Sequence, residues 1–430
     1  MRWSLLGALT RPDAVDGGSV ARKEQILVGL DVGTEKVAAI VAETLEDGSI
    51  DIIGIGVVDA EGIRRGVVVN LEAAVESIKK AIEEAELTAG VEIDEVHLGL
   101  SGAHLKAFNS RGVVAVSGKN REITHEDGRR AIDAAKGVAL PTGREILHVL
   151  PQGFVVDDQD GVVDPVGMKG TRLEVNVHVV TGNITSAQNI ISSVNRAGMR
   201  VGSTAIVQLA AAESVLTADE RKLGVALVDI GAGTTDLAIF EGGSLWHTSV
   251  VEMGGTIFTN EVAVNLRTPI PDAENTKRRK GCALASMVDE DEPIEVASLG
   301  GRDPRVIKRR FLSELLQPRA EELFHALWDE IRRAGYETSL HSGIVLCGGG
   351  SLLDGMSEVA EQIFDLPIRL GCPFDVGGLT DHVNSPSFAT GVGLVKYAHR
   401  RQMREEERFE GMSGFSRLGA WFRGRFREAL

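Results

Sequence analysis

The amino-acid sequence predicts an α/β protein made of two similar lobes, and three observations carry that expectation. An apolar strand that ends in Asp-x-Gly and turns back into a second strand occurs twice, as Val28-Gly29-Leu30-Asp31-Val32-Gly33 and as Val225-Ala226-Leu227-Val228-Asp229-Ile230-Gly231. The two aspartates stand 198 positions apart, far beyond the ~20–50-residue period of a stacked repeat, so the echo marks a duplicated lobe rather than a solenoid. Each copy then runs through a further strand into a segment with helical spacing, the alternation that builds α/β layers.

Size and charge bound the rest. A chain of 430 residues suggests two to four domains, and 43% hydrophobic with 25% charged residues is a soluble globular composition. No apolar run approaches the ~18 residues of a membrane span. Three cysteines, Cys282, Cys347 and Cys372, lie far apart without a C-x-x-C, which argues against a disulfide scaffold or a zinc module and fits a reducing cytosol. The net charge of −16 gives an acidic surface with no attraction for nucleic acid. The last sixteen residues reverse the sign, with four Arg against one Glu, so the remainder carries about −19.

Taken in order, residues 1–24 read as a disordered leader: their short apolar cluster (Trp3, Leu5, Leu6, Leu9) is no convincing signal peptide. Strands follow at 26–30, 36–41 and 50–58, then a helix at 71–87 on Leu71, Ala74, Val75, Ile78, Ile82 and Ala85. A strand-rich stretch at 103–182 holds one helix, 125–136, opened by Thr124 as N-cap. Helix 186–197, strand 200–204 and helix 208–216 lead to the second copy of the strand–turn–strand pattern. A long amphipathic helix or broken pair is expected at 305–333, a strand and glycine turn at 342–350, a helix at 352–364, a short strand at 367–370 and a last core helix at 388–400. The charged, apolar-poor stretch from 402 to 414 reads as a linker.

The two turns carry the chemistry. Backbone N–H groups and hydroxyls in a tight concave turn hold phosphate oxygens, and glycine lets the backbone come close. Asp31-Val32-Gly33-Thr34 and Asp229-Ile230-Gly231-Ala232-Gly233-Thr234-Thr235-Asp236 supply both, and an Asp at each strand end can hold Mg²⁺ through water. One such turn alone is more often an ordinary hairpin; a facing pair would clamp a triphosphate. A third glycine cluster, Gly348-Gly349-Gly350-Ser351, would let a flat nucleoside lie against backbone, or is a plain strand-to-helix turn. Glu274 and Lys277, at i and i+3, reach toward ribose and base, or form a weak surface pair.

The ordered set D-x-G-T, Q-L-A-A-A, D-I-G-A-G-T-T-D, E-x-x-K and G-G-G-S resembles the actin, heat-shock-chaperone and sugar-kinase ATPase superfamily. More narrowly, residues 224–243, 272–284, 342–351 and 378–381 resemble the FtsA family of bacterial division proteins. The resemblance covers residues 25–398 and the C-terminal segment. It implies an actin-like two-lobed ATPase fold of duplicated ribonuclease-H-like domains that binds ATP and Mg²⁺. By resemblance Asp31, Gly33, Thr34 and Lys36 form one phosphate turn and Asp229, Gly231, Gly233, Thr234, Thr235 and Asp236 the other, with Asp31 and Asp229 on the metal. Gly348, Gly349, Gly350 and Ser351 form the adenosine motif, Glu274 and Lys277 meet ribose and base, and Gly254 and Gly255 lie on a further cleft loop. Relatives that hydrolyse ATP well place a Gln or Glu at the start of the connecting helix. Gln208 stands near that place but one position late, so tight binding with slow or absent turnover is expected, and no enzyme activity proper.

The implied organisation is a first lobe at 25–102, an inserted subdomain at 103–182 for self-association and division-partner contacts, and a return of the first lobe at 183–205 and 381–400. The second lobe takes 206–260 and 341–380. A small subdomain at 261–340 docks the FtsZ C-terminal tail, with Arg309, Arg310, Arg319, Glu321 and Glu322 on its long helix; the basic residues there suit an acidic tail peptide, or form a solvated helix face. A linker at 401–414 precedes an amphipathic segment at 415–430. At 100° per residue Phe415, Leu418, Phe422, Phe426 and Leu430 share an arc of about 120°. Trp421 lies at its edge, Arg417, Arg423 and Arg427 stand outside it, and Arg425 falls near the edge, where its stem can snorkel. Such a segment lies on an anionic bilayer rather than crossing it, or docks on its own protein or a partner. The resemblance thus implies an adaptor at the cytoplasmic face of the inner membrane, at the division site, that polymerises with itself, binds FtsZ and recruits later division proteins. The alternatives are a sugar kinase, for which no base carboxylate in a hydroxyl pocket is evident, and a chaperone-type ATPase, for which too little chain follows the second lobe.

Overall fold

The computed structural model describes residues 25–410 apart from residue 119. The expected leader at 1–24 and the amphipathic segment at 415–430 lie outside the described residues.

The first lobe begins with β1 (Gln25–Val32), which pairs antiparallel with β2 (Lys36–Thr44), and β2 pairs with β3 (Ile50–Asp59). A small hairpin, β4 (Ile63–Arg64) and β5 (Val67–Val68), leads to α1 (Leu71–Ala89). Asn70 caps α1 by accepting from the Ala73 N–H, and Gly90 ends it at φ +72°. The face Ala74, Ile78, Ala81, Ile82 and Ala85 buries against the sheet. β6 (Glu95–Leu100) then joins β1 in parallel.

The insert follows: β7 (Lys106–Ala115), α2 (His125–Lys136), β8 (Arg144–Val156), β9 (Gln159–Val162) and β10 (Arg172–Asn183), in a four-stranded sheet of order β7-β10-β8-β9. Thr124 caps α2 in a box with Asp127, as its sequence predicts. The insert has its own core around Ile123, Ala131, Leu173, Val175 and Val177. α3 (Ile184–Arg196) and β11 (Arg200–Ile206) bring the chain back to the first sheet.

α4 (Val207–Val215) and α5 (Ala218–Leu223) carry the chain to the second lobe. There β12 (Val225–Ile230), β13 (Thr235–Glu241) and β14 (Ser244–Val251) repeat the antiparallel meander of β1, β2 and β3. After α6 (Gly255–Asn265), α7 (Ile270–Lys280), a hairpin of β15 (Pro293–Val296) with β16 (Arg305–Lys308), and α8 (Arg309–Ala334), β17 (Ile344–Cys347) joins β12 in parallel. α9 (Met356–Phe364) and β18 (Ile368–Leu370) complete the sheet. The second sheet has the order β14-β13-β12-β17-β18, and the first runs β3-β2-β1-β6-β11, with the short β19 (Gly377–Gly378) added beyond β3. The duplication read from two turns therefore extends to whole sheets.

Three expectations shift. Of the long helix or broken pair expected at 305–333, the first four residues form a strand, β16, and the long helix starts at Arg309. The return to the first lobe comes before 381, because β19 (Gly377–Gly378) already pairs with β3 at Asp51 and Ile52; α10 (Thr380–Val383) follows. The linker expected from 401 is helical as far as Glu410, as part of α11 (Ala389–Glu410). Arg, Gln, Met and Glu are strong helix formers, so a run poor in apolar residues still propagates a helix already started. The Arg400–Glu213 ion pair at 2.8 Å ties it to α4.

α4 and α11 cross between the lobes on small residues. A Cβ on Gly393 would lie 1.9 Å from the Ala210 carbonyl, so the backbones touch there. The Ser214 hydroxyl donates to the Ala389 carbonyl at 2.6 Å.

Candidate functional site

The turn after β1 and the turn after β12 face each other across a cavity of about 620 Å³, within the usual range for small-molecule sites. Each turn closes with the same hydrogen bond: Gly33 N–H to the Lys36 carbonyl at 3.0 Å, and Gly231 N–H to the Thr234 carbonyl at 2.9 Å. The turns also touch. A Cβ on Gly233 would stand 2.7 Å from Thr34 Oγ1 and 3.2 Å from Arg65 Cα, so only glycine lets the second turn meet the first. The Arg65 guanidinium pairs with Glu252 of the second lobe at 2.9 Å nearby.

Three carboxylates, Asp31, Asp229 and Asp236, crowd this junction. Burial raises the Asp31 pKa to about 6, opposed by Lys36 and reinforced by Asp229. Burial also raises Asp229, against the Thr390 hydroxyl that donates to it at 2.9 Å. It raises Asp236 well above its ordinary value, with Asp229 adding to the effect. Lys36 is desolvated and its pKa is lowered; its ammonium donates to the Ser387 carbonyl at 2.5 Å and sits 4.3 Å from the centre of the Phe388 ring.

On the far wall, Gly348, at φ +81°, starts the glycine turn after β17, and the Ser351 hydroxyl donates to the Gly348 carbonyl at 2.7 Å. A Cβ on Gly349 would meet nothing nearer than Ser387 Cβ at 4.0 Å; its bareness leaves room in the cavity rather than relieving a clash. Glu274 and Lys277 are no loose surface pair. Lys277 is 8% exposed and donates to Glu274 at 2.6 Å, to Thr259 Oγ1 at 2.9 Å and to the Gly255 carbonyl at 3.2 Å.

Of the residues expected at the site, Asp31, Gly33, Thr34, Lys36, Asp229, Gly231, Gly233, Thr234, Asp236, Gly255, Glu274, Lys277, Gly348, Gly349 and Gly350 line the cavity. Four support it from behind. Thr235 turns its hydroxyl to the Met253 carbonyl at 2.8 Å, because a residue one step along a strand faces the other way. Gly254 packs on the Gly231 and Ala232 carbonyls, and Ser351 is buried. Gln208 donates to Asp236 Oδ1 at 2.7 Å, and Val207, not Gln208, lines the cavity. Sequence reasoning missed Glu35, Asp59, Arg278, Ser387, Phe388 and Thr390 on the lining.

On α8 the expected basic surface is neutralised within the chain. Arg309 pairs with Glu292 at 3.0 Å and Asp354 at 3.6 Å, Arg310 with Glu314 at 3.5 Å and Glu290 at 3.9 Å, and Arg319 with Glu261 at 2.8 Å and Glu322 at 2.7 Å. Glu321 accepts from Gln317 at 2.8 Å.

A family model described as cell division protein FtsA matches residues 226–393, and one described as the SHS2 domain inserted in FtsA matches residues 102–181. The chain is 45% identical over 412 residues to cell division protein FtsA of Pseudomonas aeruginosa, covering 94% of this chain and 98% of the relative. The chain belongs to the FtsA family. FtsA of Escherichia coli K12 is 40% identical over 419 residues, covering 94% of this chain and 99% of the relative. Among solved structures, a chain of the PilM–PilN type IV pilus biogenesis complex superposes with TM-score 0.64 at 16% identity, over 87% of this chain and 98% of that one. MreB5 of Spiroplasma citri bound to ADP gives 0.54 at 15% identity, over 89% and 98%. At such identities the likeness shows the fold, which is actin-like. FtsA relatives do not favour the sugar-kinase or chaperone alternatives. Among the described residues no helix is long and apolar enough to cross a membrane.

Proposed function

We propose that this FtsA-family chain is an ATP-binding, self-associating adaptor. It ties the FtsZ ring to the cytoplasmic face of the inner membrane at the division site and recruits later division proteins. The observation that carries the reading is the pair of identically closed glycine turns, one per lobe, meeting over three crowded carboxylates, of which Asp229 and Asp236 are buried.

The residues present fit Mg-ATP. Three crowded carboxylates, their pKa values raised by burial, leave negative charge for a cation to offset, and the buried Gln208 Oε1 has no hydrogen-bond partner. Asp31 and Asp229 would hold Mg²⁺ through water, Lys36 and the turn amides would face the phosphates, and the Gly349 side of the cavity leaves space for adenosine. Magnesium there supplies charge neutralisation for a polyphosphate. Gln208 is held by Asp236, which supports slow rather than rapid turnover. FtsZ docking is assigned to residues 261–340. Since the α8 arginines already have acidic partners, an acidic tail peptide gains little from them, and the exposed apolar Val306 and Phe311 become the natural anchors.

Vesicle flotation tests the adaptor reading. The full chain should float with anionic vesicles and carry FtsZ with it when Mg-ATP is present, and Trp421→Glu or Phe422→Glu should release it. Equal flotation of the full chain and a chain ending at Gly414 would remove the terminal segment from the account.

A further inference from the structure

The insert belongs to the first lobe by chain connection and to the second by contact. Its neck is pinned by Arg144, whose Nη2 donates to the His104 carbonyl at 3.0 Å and to the Thr181 carbonyl at 2.8 Å, and whose Nε donates to the Thr181 hydroxyl at 3.1 Å. Its sheet meets β14, the edge strand of the second lobe. Leu105 and Val180 of the neck share one buried cluster with Leu209 of α4 and with Phe240 and Leu245 of the second lobe.

Beside this cluster runs a seam of hydrogen bonds. His178 Nδ1–H donates to Asn109 Oδ1 at 2.7 Å, which leaves Nε2 to accept from the Thr248 hydroxyl at 3.0 Å. Burial lowers the His178 pKa to about 4 and keeps the ring neutral, so it can accept. Gln152 Nε2 donates to the Leu245 carbonyl at 3.1 Å and to Asn109 Oδ1 at 3.2 Å, and the Ser244 hydroxyl donates to the Gln152 carbonyl at 3.2 Å.

The second lobe's side of the seam is mechanically close to the cleft. Thr248 is four residues from Glu252, about 13 Å along an extended strand. Glu252 meets Arg65 of the first lobe, and the next residue, Met253, accepts from Thr235 of the phosphate turn. The lobes also meet through the small-residue crossing of α4 and α11.

We propose that the insert is a strap across the lobes whose pose is set by the cleft: when the lobes shift around bound nucleotide, β14 carries the seam and turns the insert about its Arg144-pinned neck. The inference rests on the nucleotide reading above. Coupling is reciprocal, so loosening the seam must also change nucleotide affinity.

Hydrogen exchange on the full chain, with and without Mg-ATP, tests this. In the unaltered protein, Mg-ATP should change amide exchange at 107–111, 149–153 and 244–250 as well as in the turns at 31–36 and 229–236. Thr248→Val combined with Gln152→Ala should abolish the change at 107–111 and 149–153, retain it in the turns, and shift the Mg-ATP Kd about fivefold or more. Thr248→Ser, which keeps the hydroxyl, should behave like the unaltered chain. A response in the turns with none in the seam of the unaltered protein overturns the strap alone, whether or not the double variant folds. No response in the turns overturns the nucleotide reading and the strap with it.

Discussion

The turns after β1 and β12 share a closing hydrogen bond and a strand register, yet their charges differ. Asp31 stands opposite Ala38, and Asp229 opposite Asp236. At the closing position the first turn has Lys36 and the second has Thr234. The first lobe therefore brings a cation to its own carboxylate, while the second sets two carboxylates across from each other, an arrangement unfavourable by itself. Duplication reproduced the backbone; divergence at these positions concentrated the negative charge on one side. The proposed Mg²⁺ would offset that charge.

The largest break in this comparison is Asp229→Ala. It removes the carboxylate proposed to face the metal and the acceptor of Thr390, and Mg-ATP affinity should fall roughly 10–100-fold by calorimetry. Asp31→Asn should cost less, because Lys36 remains for the phosphates. Both variants should raise the melting temperature of the nucleotide-free protein, since each removes a poorly solvated charge. A fall in both melting temperatures would contradict the charge-crowded picture.

The pH profile sharpens it. The folded pKa of Asp31, about 6, lies above its ordinary value of 3.8. The folded state thus holds a proton that the unfolded state releases. Relative stability is fully present below pH 3.8 and is lost as pH rises through 6. At neutral pH the ionised group costs the nucleotide-free protein on the order of 2 kcal/mol, allowing for its partial exposure to the cleft. Mg-ATP binding runs the other way and should weaken by up to about tenfold per pH unit below 6. Asp31→Asn should flatten that dependence in calorimetric titrations between pH 5 and 7.5.

Much of this was legible in the sequence because it depends on local pattern. The Asp-x-Gly turns, the strand alternation around them and the Thr124 cap all announce themselves within a few residues. Ser387, Phe388 and Thr390 do not. They reach the cleft from a short helical turn at Pro386–Phe388 and the start of α11, brought there by the fold, and no spacing marks them. Thr235 and Ser351 sit inside the motifs but point away, since a motif fixes position and strand geometry fixes direction. The α8 arginines read as an open basic face because their partners Glu292, Asp354 and Glu261 come from other elements.

The smallest expected effect is at Arg65. Its pair with Glu252 spans the lobes but is half exposed, so Arg65→Ala should alter nucleotide affinity by less than about fivefold. A larger loss would mean that Arg65 holds more than the lobe contact.

The most direct test is titration of the pure full-length chain with Mg-ATP in a calorimeter, beside Asp229→Ala. The two-turn site predicts saturable uptake near one nucleotide per chain, strongly weakened in the variant. Absence of uptake by the unaltered, folded protein, or equal uptake by both, would contradict it.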